Sequence, residues 1–245
     1  MSVTARALAL LSAFDERHRR LTLTELARRA GLPLATAHRL TGELLSWGAL
    51  ERLSPGSPYY VIGRRIWDLG LLAPVQSGLR QVASPFLHDI YAATLATVHL
   101  AVRDGDEVLY VDRLSGHQSV PVVSEIGSRL PLHCTGVGKV LLAHAPADVQ
   151  RRVLGDLRRI TPYTITQPGR LSAQLERTRR EGYAQTVEEM SLGGCSVAVP
   201  IRRPTTGKVE VVAALGLVVP TLKRDKPRLV AALQVAAEGI SRSLP

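Results

Sequence analysis

Residues 21–52 read LTLTELARRAGLPLATAHRLTGELLSWGALER, and how this stretch folds decides what the N-terminal third of the chain is. Thr22 and Glu25 have the spacing of a capping box, in which each side chain satisfies a backbone N–H at the start of a helix. Leu23, Leu26, Ala27 and Ala30 then fall on one face, and Gly31 can take the left-handed conformation that ends the helix. Pro33 suits the first turn of a second helix, on which Ala37, Leu40, Thr41, Leu44 and Gly48 share a face. Two short helices joined this tightly predict a helix-turn-helix.

The flanks agree. Upstream, the spacing of Leu8, Leu10, Leu11 and Phe14 predicts another helix. Downstream, ALERL (49–53) and YYVIG (59–63) are short β-rich runs around the turn signal SPGSP. A hairpin there is the wing of a winged helix-turn-helix, expected over residues 1–75. RRIWDLGLLAPVQSGLRQVASPFLHDIYAAT (64–94) reads as helical, with breaks near Pro74 and Pro85, and residues 76–92 are expected to be a helical linker.

Residues 93–245 are expected to form a second domain. TVHLAVRDGDEVLYVDRL (97–114) is two alternating strands joined at Asp104-Gly105-Asp106, and SVPVVSEIG (119–127) predicts a further strand. TGVGKVLLAHA, PADVQRRVLGDL and RLSAQLERTRREGYA read as helices, the last ended by Gly182. The strands CSVAVPIRR and KVEVVAALGLVV follow, and LVAALQVAAEGISRSL closes the chain as a helix. This interleaving predicts an α+β fold with a mainly antiparallel sheet.

Composition narrows the function. The chain carries 31 basic and 21 acidic side chains, a net charge of +10. Residues 1–80 hold 11 of the basic and 6 of the acidic ones, so the excess is about twice as dense there as in the rest. That asymmetry fits a nucleic-acid-binding head on a more neutral body. It fits an arginine-rich proteome equally well, since the head has no lysine. The longest apolar run, VVAALGLVV (211–219), falls well short of the roughly 20 residues of a membrane span. The N-terminus lacks a signal-peptide pattern, so a cytoplasmic protein without a membrane partner is expected. Two cysteines and seven histidines in no ligand spacing give no reason to expect a metal or other cofactor.

From Arg6 to Leu244 the chain resembles the IclR-type transcriptional regulators. The head segments RALALLSAF and LTLTELARRAGLPLATAHRL carry the resemblance first. VHLAVRDGDEVLYVDR, GSRLPLHCTGVGKVLLA, LERTRREGYA and CSVAVPI then follow in order and spacing. The resemblance implies a homodimer or tetramer that binds a double-stranded DNA operator. It also implies a GAF-like α/β effector-binding domain for a small metabolite, commonly an organic or aromatic acid, and no enzymatic activity.

For DNA, the second helix turns Leu34, Ala35, Thr36, His38, Arg39 and Gly42 away from its packing face. Arg39 can pair with guanine or phosphate, Thr36 and His38 can donate hydrogen bonds, and Ala35 suits the thymine methyl. Leu34-Ala35 departs from the Lys-Ser frequent in the family, which shifts the expected base readout onto Thr36, His38 and Arg39. Thr22, Arg28, Arg52 and Arg64 are further candidates, the arginines for sequence-neutral phosphate contacts.

For the effector, TGVGK (135–139) fails as a phosphate loop, because His133 and Val140 stand where glycine and Ser/Thr are required. It reads instead as a helix start, with Thr135 or Cys134 as cap and free N–H groups at Gly136 and Val137. Such a terminus favours a ligand carboxylate, or is packing alone. Leu141 follows on the same helix. By resemblance Cys195 lines the effector pocket. Gln185 stands where the family often has an acid, and Gly216 and Val218 stand where it has serines. A more apolar pocket is therefore expected, for a larger aromatic or aliphatic acid. The alternative function is a small hydrolase or acyl-transfer enzyme with Cys195 as nucleophile and His133 or His144 as base. A small buried cysteine is the favoured reading of that residue. A non-specific architectural DNA binder would leave the C-terminal portion idle.

Overall fold

A computed structural model describes residues 1–15, 18–71, 77–116, 119–205 and 208–244. The chain divides into two compact units, Met1–Pro74 and Val75–Pro245.

In the first unit, α1 (Val3–Leu11) packs against α2 (Leu23–Ala30) and α3 (Leu34–Trp47). The capping box is present: Thr22 N–H donates to Glu25 Oε2 at 2.8 Å, and Thr22 Oγ1 accepts from Glu25 N–H. The Thr22 N–H and, after it, the Thr22 hydroxyl, both donating to Glu25 Oε2, lower the pKa of the Glu25 carboxyl. Gly31 ends α2 at φ 65°, and Leu32 N–H returns to Ala27 O at 2.9 Å, which aims the chain into α3. Pro33 caps α3 from outside it rather than standing in its first turn. Strands β2 (Leu50–Arg52) and β3 (Tyr59–Ile62) form the wing hairpin. Sequence reading missed β1 (Leu21–Thr22), which adds to β3 in a three-stranded sheet of order β1-β3-β2. Leu10, Leu21, Leu26, Ala37, Leu40 and Tyr60 are the core. Helix α4 (Arg64–Leu71) follows the wing.

The second unit is a six-stranded sheet between two helical layers, every adjacent pair antiparallel. Its strands are β4 (Thr97–Asp104), β5 (Glu107–Leu114), β6 (Arg129–Pro131), β7 (Ala184–Val187), β8 (Cys195–Thr205) and β9 (Lys208–Val219), in the order β6-β5-β4-β9-β8-β7. One face carries α5 (Ser77–Thr94) and α9 (Lys226–Ser243); the other carries α6 (Gly136–Ala143), α7 (Ala147–Gly155) and α8 (Pro168–Glu181). Alternate strand residues feed the two cores: Val98, Leu100, Val197 and Leu215 face α5 and α9, while Ala101, Ala198 and Ala214 face α6.

Three expectations change. The expected linker is part of this unit, because α5 buries Ala83, Leu87 and Ile90 in the sheet core. Pro85 does not break it: the helix runs through Pro85, since burial of that face outweighs one lost backbone bond. The break expected at Pro74, and the 75/76 boundary, lie outside the described residues. SVPVVSEIG is not a strand. Pro121 has no N–H for a ladder, and the segment is held instead by Arg113 Nη1 donating to Ser124 O at 2.8 Å. Sequence reading also missed β7, whose AQTV is too short and polar to announce itself. Among the described residues no helix is long and apolar enough to cross a membrane.

Candidate DNA interface and ligand cavity

On α3, Leu34, Ala35, His38, Arg39, Gly42, Glu43 and Ser46 are exposed, while Ala37, Leu40 and Thr41 are buried. Thr36 is half-buried. One full face of the helix is therefore open, and Arg39 stands on it without a hydrogen bond or ion pair among the described residues. Arg28, at the last turn of α2, is exposed in the same way.

The other candidates are engaged within the protein. The Thr22 hydroxyl is committed to the capping box, donating to Glu25 Oε2 at 2.8 Å. Arg52 stitches the wing: Nη1 donates to Ser57 O at 2.6 Å, Nη2 donates to Tyr60 Oη at 3.1 Å, and the guanidinium lies over the Tyr60 ring. Arg52 therefore shapes the wing, whatever it also does at DNA. Arg64 is exposed, its backbone N–H donating to Glu51 Oε1 at 2.8 Å. Arg65 stacks on Trp47, 4.5 Å from the ring centroid.

In the second unit a cavity of about 490 Å³, its mouth included, opens between the first turn of α6 and the sheet. Thr135 caps α6, accepting from Gly138 N–H at 3.1 Å and donating to Pro131 O at 3.2 Å. The amides of Gly136 and Val137 have no acceptor within the helix, and both residues line the cavity. Beneath them Ser196 and Thr186 share a hydroxyl–hydroxyl hydrogen bond of 2.5 Å. The approach is close: a Cβ on Gly136 would stand 2.5 Å from Ser196 Oγ. Gly216 is the floor, where a Cβ would stand 2.8 Å from Val137 Cγ1 and 3.2 Å from Ala198 Cβ. Val137 already packs over that position, so the glycine lets α6 sit directly on the sheet.

The far wall is polar as well. His99 Nε2 and Ser124 Oγ are 2.7 Å apart, and Tyr110 meets the His99 ring edge-on at a centroid distance of 4.9 Å. The Tyr110 phenol hydrogen-bonds the Thr135 side chain, and burial pushes its pKa up. Burial, helped by the charge of Arg113, pulls His99 down to about 3, so its ring is neutral at physiological pH.

Of the expected effector residues, Thr135, Gly136, Val137, Gly216 and Val218 line this cavity, and the other three do not. Leu141 is buried in the core under α6. Gln185 and Cys195 sit at strand positions of opposite parity to Thr186 and Ser196, so they face away. Cys195 Sγ lies 3.6 Å from Pro220 O, and burial raises its pKa, which keeps it a thiol. His133 Nε2 hydrogen-bonds Arg158 O and His144 Nδ1 hydrogen-bonds Val140 O, each at 2.9 Å, and Cys195 has neither histidine as a hydrogen-bond partner among the described residues. Sequence reading missed His99, Tyr110, Ser124, Thr186, Met190 and Ser196. Thr97 and His99 did carry a signal, two polar residues at alternate positions of the otherwise apolar TVHLAV at the start of β4.

The rim is anchored from behind. Lys139, 1% exposed, donates to Glu189 Oε1 and to Gln174 Oε1, both at 2.6 Å. Burial lowers the Lys139 pKa and raises that of Glu189, against their mutual attraction. Thr161 Oγ1 donates to Glu188 O and Thr164 Oγ1 donates to Glu189 O, both at 2.7 Å. The next residues, Met190, Ser191 and Gly194, are cavity wall.

Comparison with known proteins places this architecture. The family model of the IclR helix-turn-helix domain matches residues 3–54, and that of the bacterial transcriptional regulator IclR C-terminal region matches residues 73–242. The HTH-type transcriptional regulator XynR of Escherichia coli is 32% identical over 244 residues, covering 98% of this chain and 95% of that protein. An IclR homologue from Microbacterium hydrocarbonoxydans, solved in complex with 4-hydroxybenzoate, superposes with a TM-score of 0.92 at 35% identity, over 99% of each chain. The IclR of Thermotoga maritima superposes with a TM-score of 0.77 at 30% identity, covering 98% of this chain and 97% of that one. The chain belongs to the IclR family of DNA-binding transcriptional regulators.

Proposed function

We propose that this regulator binds its operator as a homodimer and that a small organic acid, aromatic in its body, sets the operator affinity. The cavity carries the reading: amides at the positive end of α6 favour a carboxylate, and Val122, Val123, Leu130 and Met190 give it an apolar wall. The Microbacterium relative solved with 4-hydroxybenzoate supports an aromatic acid as the ligand. Thr135, Gly136, Val137, Gly216 and Val218 contact the acid in this account.

On the DNA side, α3 lies in the major groove with Ala35, Thr36, His38 and Arg39 toward the bases, while Arg28 and Arg64 meet phosphates. Two heads then address half-sites about one helical turn, ~34 Å, apart, in the cytoplasm where the operator is. The acid acts by preferring one of two arrangements of the heads.

Thermal shift with a panel of acids tests the ligand class. Benzoates should raise the melting temperature at concentrations where glyoxylate and pyruvate do nothing. Stabilisation by the small polar acids alone would overturn the aromatic assignment.

A further inference from the structure

We propose that the second unit has a further ligand site, separate from the effector cavity, that binds a small tetrahedral oxyanion: inorganic phosphate or the phosphate group of a small metabolite. Nothing in it depends on the effector reading above.

The site is a cavity of about 400 Å³, its mouth included, at the free edge of the sheet. β7 ends the strand order, so its outer side pairs with no other strand. From one face of the sheet α8 brings Gln174, Arg177 and Glu181 to the cavity, and from the other α9 brings Lys226. Lys139 reaches it from α6, and Gln185 stands on β7 itself. This cavity and the effector cavity share no lining residue.

Its donors are not all spent. Lys139 is 1% exposed, and an ammonium has three N–H groups to place. Two go to Gln174 Oε1 and Glu189 Oε1, and among the described residues no acceptor meets the third. A buried donor left unmet is costly, and the space that Lys139 lines is where an acceptor can stand. Gln174 receives Lys139 through Oε1, which leaves its NH2 group to donate. Lys226 is half-buried and has no ion pair or hydrogen bond among the described residues; its Nζ lies 5.7 Å from the Tyr183 ring centroid. Arg177 reaches Glu181 at 3.3 Å and keeps donors to spare, since a guanidinium carries five N–H groups.

The arrangement selects the class of anion. Donors arrive from α6, α8, β7 and α9, so they surround one space instead of facing it from one plane. A carboxylate offers two oxygens in a plane, whereas a phosphate group offers at least three in tetrahedral directions and about 1.5 negative charges at pH 7. Glu189 balances Lys139 and Glu181 balances Arg177, so Lys226 is the charge that the anion neutralises. Gln185 preserves that excess, because a carboxylate in its place would answer Lys226 from within the protein.

Isothermal titration of the full-length protein with inorganic phosphate and with glycerol 3-phosphate, each in chloride buffer of matched ionic strength, tests this. Both should bind saturably below about 10 mM, at one per chain. Gln185→Glu and Lys226→Gln should each weaken both ligands about tenfold while keeping the parental melting temperature in chloride, since neither side chain is in a core. Tighter binding of glycerol 3-phosphate would mark a phosphorylated metabolite as the ligand, and tighter binding of phosphate would mark the free ion. Binding that both variants leave unchanged would put the anion elsewhere, such as on the basic face of the first unit, and would overturn the site. Absence of saturable binding by either ligand would overturn it as well.

Discussion

Replacing Lys139 with methionine is expected to destabilise the ligand-binding unit by about 3–5 kcal/mol, the usual penalty for removing one partner of a buried ion pair. Methionine fills much of the same volume, so the loss is electrostatic rather than a cavity. The variant leaves the Glu189 carboxyl 5% exposed, with Oε1 stripped of its ammonium and Oε2 already without a partner among the described residues. Burial already raises the Glu189 pKa, so it will take up a proton in the variant, which limits the loss without cancelling it. Urea denaturation followed by far-UV circular dichroism measures the effect. The double variant Lys139→Met with Glu189→Leu should recover most of the stability, because it removes both charges. Because residues 190–194 continue from this anchor into the cavity wall, the single variant should also weaken acid binding. A single variant within 1 kcal/mol of the parent would show that the pair is not the anchor described here.

Arg39→Ala is expected to weaken operator binding by between about 5- and 150-fold and to relax selectivity at one base position. The side chain is exposed on the open face of α3, beside Ala35, His38 and Gly42, and no described residue occupies its guanidinium. Its planar fork suits the two acceptors on guanine's major-groove edge. Arg28→Ala should instead weaken all sequences alike and lower the salt dependence by about one released ion. Arg52→Ala should act through the wing, since it removes the bonds to Ser57 and Tyr60. Gel shifts at several salt concentrations separate these cases. Parental operator affinity in Arg39→Ala would refute the assignment.

The parts of the fold that were legible in the sequence are those with local causes. The capping box at Thr22 and Glu25, the left-handed stops at Gly31 and Gly182, and the alternating strands around Gly105 each declare themselves within a few residues. What was illegible depends on partners distant in sequence. β1 is two residues long and exists because β3 passes beside it. Pro85 stays helical because α5 lies on a sheet whose strands come later in the chain.

The ligand site divides along the same line. The α6 terminus could be read from TGVGK, because a helix start is a local object. The polar pairs across it could not: His99 with Ser124, and Thr186 with Ser196, join residues 25 and 10 positions apart through strand register and a loop without a ladder. Register also turns Gln185 and Cys195 away from this cavity. A shift of one residue along a strand moves a side chain to the opposite face, and resemblance fixes position less tightly than that.

In the proposed function one acid and one operator are read by the same molecule and influence each other. The decisive measurement is operator affinity, by fluorescence anisotropy, with and without saturating 4-hydroxybenzoate, paired with acid affinity with and without operator DNA. The acid should change the operator Kd by about 5- to 150-fold, and the operator should change the acid Kd by the same factor. An operator Kd that saturating acid leaves unchanged would contradict it.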